Sequence, residues 1–322
     1  LAKGLIAAGL QPGESLAIMS PTRYEWAVAD MAAWFAAAVV VPVYETSALP
    51  QVAAVLDDAA VRLAIAGTAG HALLLEQGFE QAGRTSLGVW TMDPRPGADL
   101  AELTQRGAGV PDSAVEERRL LPDLDSVATI VYTSGTTAAP KGALITHGNF
   151  VGQVLNVGAA YTGVVREGGN TVIFLPMAHV LARGLGLPVI EGYGLTETTA
   201  PLTGNMPDTI SAGTVGVPMP GTTVCISDRG EVLARGVGVF AGYRRPADNQ
   251  DAFTDGYFHT GDLGELDELG RLTLKGRIKD VIVTAGGKTI TPAIWEGYVE
   301  GDPLVAHAVM VGEGKPYLGG LV

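Results

Sequence analysis

The stretch SVATIVYTSGTTAAPKG, residues 126–142, decides how this chain folds. Its first seven residues, 126–132, are apolar and largely β-branched, the make-up of a strand buried in a sheet. They run straight into a loop with hydroxyls at Thr133, Ser134, Thr136 and Thr137, a glycine at Gly135 and a single cation at Lys141. Backbone amides freed by glycine, hydroxyl donors and one lysine together form a cradle for a polyphosphate. The loop does not follow the Walker pattern, because Lys141 stands between Pro140 and Gly142 rather than between a glycine and a Ser or Thr. A P-loop nucleotidase is therefore disfavoured. Taken alone, the same residues read as readily as a solvated turn, so their company has to decide.

Upstream of the loop, residues 16–19 form a strand pattern, 24–37 a helix, 39–43 a β-branched strand, 49–56 a second helix and 61–66 another strand. This alternation predicts an α/β fold with a largely parallel sheet. Residues 67–125 are less regular, and no chemistry is assigned to them. Beyond residue 191 short strands separated by Gly and Pro predict a β-rich part. Further on, a hairpin-like region over 270–283, a turn at Gly286 and Gly287, a helix over 292–299 and a strand over 306–311 are expected. The apolar run 31–43 is interrupted by Pro42 and falls short of the roughly 20 residues a bilayer requires.

Two further stretches carry chemistry. In EGYGLTET, residues 191–198, the aromatic Tyr193, the hydroxyl of Thr196 and the carboxylate of Glu197 lie close together on glycine-flanked backbone. An aromatic face stacks on a purine, a hydroxyl bonds a phosphate oxygen and a carboxylate holds Mg²⁺. In YFHTGDLG, residues 257–264, Asp262 follows a glycine, and an ionised carboxylate has two oxygens to accept bonds from vicinal ribose hydroxyls. Singly, Tyr193 is a core tyrosine, Glu197 a surface glutamate and Asp262 a turn cap. Composition narrows the field from the other side. A net charge of −13 repels nucleic acid at long range, and one cysteine with five scattered histidines leaves neither a disulfide framework nor a zinc site.

In this combination and order, YTSGTTAAPKG, EGYGLTET, YFHTGDLG and GRIKDVIVTAGGK resemble the acyl-adenylate-forming superfamily, and most of all its long-chain fatty acid:CoA ligases. The resemblance implies a large N-terminal domain of parallel α/β and β-rich parts over residues 1–278. A small α+β C-terminal domain would begin at 279 and be incomplete by 322. It implies Thr133, Ser134, Gly135, Thr136, Thr137 and Lys141 on the β- and γ-phosphates of ATP, Gly192 and Tyr193 against adenine, and Thr196 on the α-phosphate. Glu197 would hold Mg²⁺, Asp262 and Arg277 the ribose, and Lys279 would be the hinge of the mobile domain. Gly286 and Gly287 would approach the CoA thiol, and His179, which reads equally as a core histidine, would lie on the acyl and pantetheine path.

Three departures from the family are expected to matter. Between His179 and Tyr193 the chain is far too short, so that a segment is missing near 183–186. The N-terminus opens inside an amphipathic pattern, and Val322 falls before the lysine that such enzymes use in adenylation. If the chain is literal, it is expected to be defective in catalysis even if it binds nucleotide. The implied reaction activates a fatty acid with ATP to acyl-AMP and passes the acyl group to CoA. Its rivals are an acyl-AMP ligase delivering to a carrier protein and a nucleotide-binding remnant without turnover. A cytoplasmic location fits the lone cysteine, whereas peripheral membrane contact and a homo-oligomer stay open.

Overall fold

The computed structural model describes residues 1–133, 140–162, 191–206, 209–300, 302 and 304–322, and in it the chain forms two compact units. One unit comprises Leu1–Val151 with Phe240–Gln250, and the other Gly152–Val239 with Asp251–Val322.

The first unit is built on a seven-stranded sheet. Strands β1 (Ser15–Met19), β2 (Val39–Val43), β3 (Val61–Ala66), β4 (Val89–Thr91) and β5 (Val127–Thr133) run parallel in the order β5-β2-β1-β3-β4. All five residues of β1 are buried. Alternation explains why: Leu16 and Ile18 face a core with Val40, Leu63 and Ile65, while Ala17 and Met19 face another with Val41, Val43, Ala64 and Ala66. Each core is closed by helices. Those of the first core are α1 (Ala2–Ala7), α2 (Tyr24–Phe35) and α5 (Leu100–Arg106), through Leu5, Ala29, Ala33 and Leu103. The second is covered by α3 (Leu49–Asp58) and α4 (Ala69–Gln81), through Val52, Leu56, Leu75 and Phe79. A sheet buried on both faces needs largely apolar strands, which 39–43 supplies in full and 61–66 with the exception of Arg62, paired to Glu14.

At the edge of this sheet the direction reverses. Strand β6 (Lys141–Thr146) pairs antiparallel with β5, and the short strand Gly242–Tyr243 pairs antiparallel with β6. The hydroxyl-rich loop therefore joins two strands of a hairpin, whereas a Walker loop leads from a strand into a helix. Helix α7 (His147–Ala160) follows β6.

The expected α/β alternation is present, with two differences. Helix α2 ends at Phe35, where Ala36 caps it and Ala37 takes a left-handed conformation (φ 59°). That position favours glycine, so the sequence carries no stop signal there. Residues 67–125, read as less regular, contain α4, α5 and α6 (Asp112–Arg119). Inside α4, Gly78 lowers helix propensity but lets α3 approach: a Cβ there would stand 2.8 Å from Val52 Cγ1.

The second unit is β-rich, as expected. The strand Tyr257–Leu266 pairs antiparallel with Glu231–Gly236, Leu272–Arg277 and Phe253–Thr254, and Thr222–Ile226 pairs with Glu231–Gly236. A second, three-stranded sheet joins Gly192–Tyr193, Thr203–Gly204 and Val217–Pro218. Leu202, Val224, Val232, Ala234 and Leu272 form a core against which Tyr193 packs. Toward the C-terminus the hairpin Ile282–Val283 with Thr289–Ile290 precedes the helix Pro292–Val299, and Val309–Val311 pairs with Gly319–Leu321. The described residues include no helix long and apolar enough to cross a membrane.

Burial pushes the carboxyl of the half-buried Asp30, on α2, up to about 6 from an ordinary 3.8. Its ionisation therefore opposes folding: stability is fullest below the ordinary value and is lost as the pH rises through about 6. A shift of about two pH units corresponds to ~3 kcal/mol, and partial exposure screens this to about 1–2 kcal/mol. Asp30→Asn should raise the unfolding free energy by that amount at pH 8 and leave it nearly unchanged at about pH 3, below the ordinary value, as read from urea titrations.

Candidate active site

In the second unit the expected ribose and adenine residues meet around one buried carboxylate. Asp262 is 5% exposed. It lies opposite Arg277 in the register of two antiparallel strands, which brings Arg277 Nε to 3.0 Å from Oδ1. Oδ2 accepts a hydrogen bond of 2.6 Å from the hydroxyl of Tyr193. Burial, and then the bond to this carboxylate, push the Tyr193 phenol far above its ordinary range, so Tyr193 stays protonated as a donor. The resemblance implies the face of Tyr193 against adenine; its hydroxyl end is fixed by Asp262.

The backbone that carries Asp262 is held in turn. Its N–H donates to Thr260 Oγ1 at 3.1 Å, and Thr260 Oγ1 donates to the carbonyl of Val232 at 2.7 Å. Gly261, at φ 75°, donates its N–H to Glu231 Oε1 at 3.0 Å. The other oxygen of Glu231 is 2.9 Å from His259 Nδ1, and His259 Nε2 is 2.9 Å from Thr254 Oγ1. Sequence reasoning missed Glu231, His259 and Thr260 as supports. His259 and Thr260 stand in the quoted motif, but no local signal ties Glu231 to it.

Tyr193 and Glu197 are set by the segment between them. Gly192 and Gly194 are needed for close packing rather than for unusual backbone: a Cβ on Gly194 would lie 2.9 Å from Ala200 Cβ and 3.0 Å from Leu202 N. Thr196–Thr198 form one turn of 3₁₀ helix, in which Leu195 N–H donates to Thr198 Oγ1 at 2.9 Å. Glu197 is buried at 7% exposure, and Thr196 is half-buried.

Lys141 belongs to the first unit. It stands opposite Thr133 in the β5–β6 register, so that the hairpin brings the two ends of the loop together. Its Nζ is 3.7 Å from Asp248 Oδ1 and 5.0 Å from the centre of the Tyr243 ring. Tyr132 anchors the same strand end by donating to Asp58 Oδ2 at 2.6 Å. Ser134, Gly135, Thr136, Thr137 and His179 lie outside the described residues, as does the expected break near 183–186.

Lys279 lies exposed in the 3₁₀ turn Ile278–Asp280 directly after Arg277. Gly286 and Gly287 form the exposed turn of the hairpin that follows, where Gly287 takes φ 75° and donates its N–H to Thr284 O at 2.8 Å. No group of three or more His, Cys, Asp or Glu side chains that could hold a metal exists among the described residues. A single buried carboxylate such as Glu197 is nonetheless compatible with Mg²⁺, because this ion is commonly held by one or two carboxylates plus phosphate oxygens and water.

The AMP-binding enzyme family model matches residues 1–187 and 181–244, and that of the AMP-binding enzyme C-terminal domain matches residues 279–322. The chain belongs to the AMP-binding enzyme family, the class of adenylate-forming enzymes. Long-chain-fatty-acid--CoA ligase FadD15 of Mycobacterium tuberculosis is 31% identical, covering 100% of this chain and 74% of that protein. A feruloyl-CoA synthase of Amycolatopsis sp is 26% identical, covering 99% and 79%. Among solved structures, O-succinylbenzoate coenzyme A synthetase (MenE) from Bacillus subtilis, in complex with ATP and magnesium ion, aligns with a TM-score of 0.82 at 21% identity. That match covers 99% of this chain and 81% of MenE and establishes the shared fold.

The tie between Tyr193 and Asp262 is testable through stability. Tyr193→Phe should cost about 1.5–3 kcal/mol, the loss of a hydrogen bond to a charged group. Asp262→Ala, which strips both Tyr193 and Arg277 of their acceptor, should cost about 2–4 kcal/mol in urea unfolding.

Proposed function

We propose that this chain activates a long-chain fatty acid with ATP to an acyl-adenylate and transfers the acyl group to CoA. The observation that supports the nucleotide half is the buried Asp262 carboxylate, held by Tyr193 and Arg277. The acyl half rests on the 31% identity to FadD15 along the whole chain, while relatives named for feruloyl and oxalate substrates are 26% and 25% identical.

On this reading the carboxylate of the acid attacks the α-phosphorus of ATP and pyrophosphate leaves. The thiol of CoA then attacks the acyl carbon and AMP leaves. Lys141 and the loop from Thr133 through Ser134, Gly135, Thr136 and Thr137 neutralise the β- and γ-phosphates, and Thr196 bonds the α-phosphate. The protein thereby supplies alignment and charge stabilisation rather than covalent chemistry. Glu197 would hold Mg²⁺ together with phosphate oxygens, and the ion, when bound, offsets charge that develops on the leaving group. Lys279 acts as the hinge at the start of a small domain over 279–322, and Gly286 and Gly287 line the approach of the thiol. His179 lies on the acyl path.

A segment of the acyl tunnel is missing from this chain between His179 and Tyr193. In support, the FadD15 alignment runs over 450 positions against the chain's 322 residues, a difference of 128 positions. The lone Cys225 supports a cytosolic setting.

The test is acid-dependent ATP–pyrophosphate exchange with a long-chain, a short and an aromatic acid in parallel. Exchange should be fastest with the long-chain acid, and Glu197→Gln should lower it by about 100-fold or more while leaving the ATP Kd within a few-fold. A chain that binds ATP but exchanges with no acid is a binding remnant, which would overturn the enzyme reading. Where exchange occurs, AMP release that depends on a carrier protein instead of CoA would replace the acceptor.

A further inference from the structure

The cation of the phosphate loop has a partner that the sequence did not single out. Lys141 Nζ lies 3.7 Å from Asp248 Oδ1, and the two side chains are 29% and 17% exposed. The second oxygen of Asp248 accepts from Arg245 Nε at 2.8 Å, and Arg245 also donates through its guanidinium to the carbonyl of Pro140 at 3.3 Å. One carboxylate is thus shared between the loop lysine and an arginine that itself grips the residue preceding that lysine.

This arrangement is built in. Asp248 sits in the 3₁₀ turn Pro246–Asn249, whose N–H at Asp248 donates to Arg245 O at 3.0 Å. Asn249 clamps the turn onto the adjoining strand, accepting from Tyr243 N–H at 2.7 Å and donating to Tyr243 O at 2.8 Å. That strand pairs with β6, which begins at Lys141. The neighbouring Arg244 is taken up by Asp58, donating to its backbone carbonyl and lying 3.8 Å from Oδ2. Lys141, Arg244 and Arg245 are therefore each set against a carboxylate.

We propose that Asp248 is a positioning residue that acts through Lys141, holding its ammonium in place while competing with phosphate oxygens for its charge. The balance between Asp248 and Arg245 then sets how tightly ATP is bound and how readily pyrophosphate is released. The inference rests on the reading of the Thr133–Lys141 hairpin as a phosphate site. Its physical basis is that a carboxylate at this distance, partly shielded from water, reduces the field Lys141 offers to a second anion. Arg245 opposes that reduction by drawing on the same carboxylate, so removing either partner should move affinity in opposite directions.

The experiment is calorimetric titration of the wild-type chain, Asp248→Asn and Arg245→Met with ATP and with pyrophosphate at two salt concentrations. Asp248→Asn should bind both ligands about three- to fivefold more tightly, and Arg245→Met should bind them more weakly by a similar factor. Both differences should shrink at high salt. Structural damage alone lowers affinity, so tighter binding by Asp248→Asn separates the two explanations. Unchanged or weaker binding by Asp248→Asn overturns the proposal, and so does unchanged or tighter binding by Arg245→Met, which carries the test if the first variant does not fold. Failure of the wild-type chain to bind either ligand overturns the phosphate-site reading itself, and the proposal with it.

Discussion

A buried carboxylate needs its charge satisfied on every side, and Asp262 shows how much structure that need recruits. Its two oxygens are taken by Tyr193 and Arg277, which come from different sheets of the second unit. The turn that presents it is fastened by Thr260 and by Glu231, and Glu231 is held by His259. Desolvating a carboxylate costs several kcal/mol unless such partners offset it. An acid fixed this firmly is ordered in advance, which is a condition for selective binding of hydroxyl groups.

The hairpin of the first unit answers the opposite problem, that of concentrating positive charge in a chain of net charge −13. The elements that flank the loop, β5 and β6, are both strands, so neither brings a helix dipole to it. Lys141 then supplies the cation, and its neighbours Arg244 and Arg245 are each held by a carboxylate. The two units thus hold different parts of the candidate site: Lys141 in one, Asp262, Arg277 and Tyr193 in the other.

Much of this was legible from residues alone, and where it was not the reason is physical. Strands 39–43 and 61–66 declare themselves because a sheet covered on both faces demands mostly apolar side chains, and only Arg62 among them is charged. Helix α4 hides because Gly78, a poor helix former, is there to admit Val52 and Leu56 of α3, a requirement set by tertiary packing. The end of α2 hides because an alanine, Ala37, adopts the left-handed conformation that usually signals itself through glycine. Site residues followed the same division. Asp262, Tyr193 and Lys141 stand in motifs whose local spacing points to a chemistry. Glu231 and Asp248 do not, because they act on residues 30 and 107 positions away through strand pairing that no local window contains.

The central claim is that Asp262 recognises the two hydroxyls of a ribose, and the direct test compares AMP with its 2′-deoxy and 3′-deoxy analogues by binding titration. The account predicts that the wild-type chain binds each deoxy analogue about tenfold or more weakly than AMP, and that Asp262→Ala binds all three alike. Equal binding of the three nucleotides by the wild-type chain would contradict it.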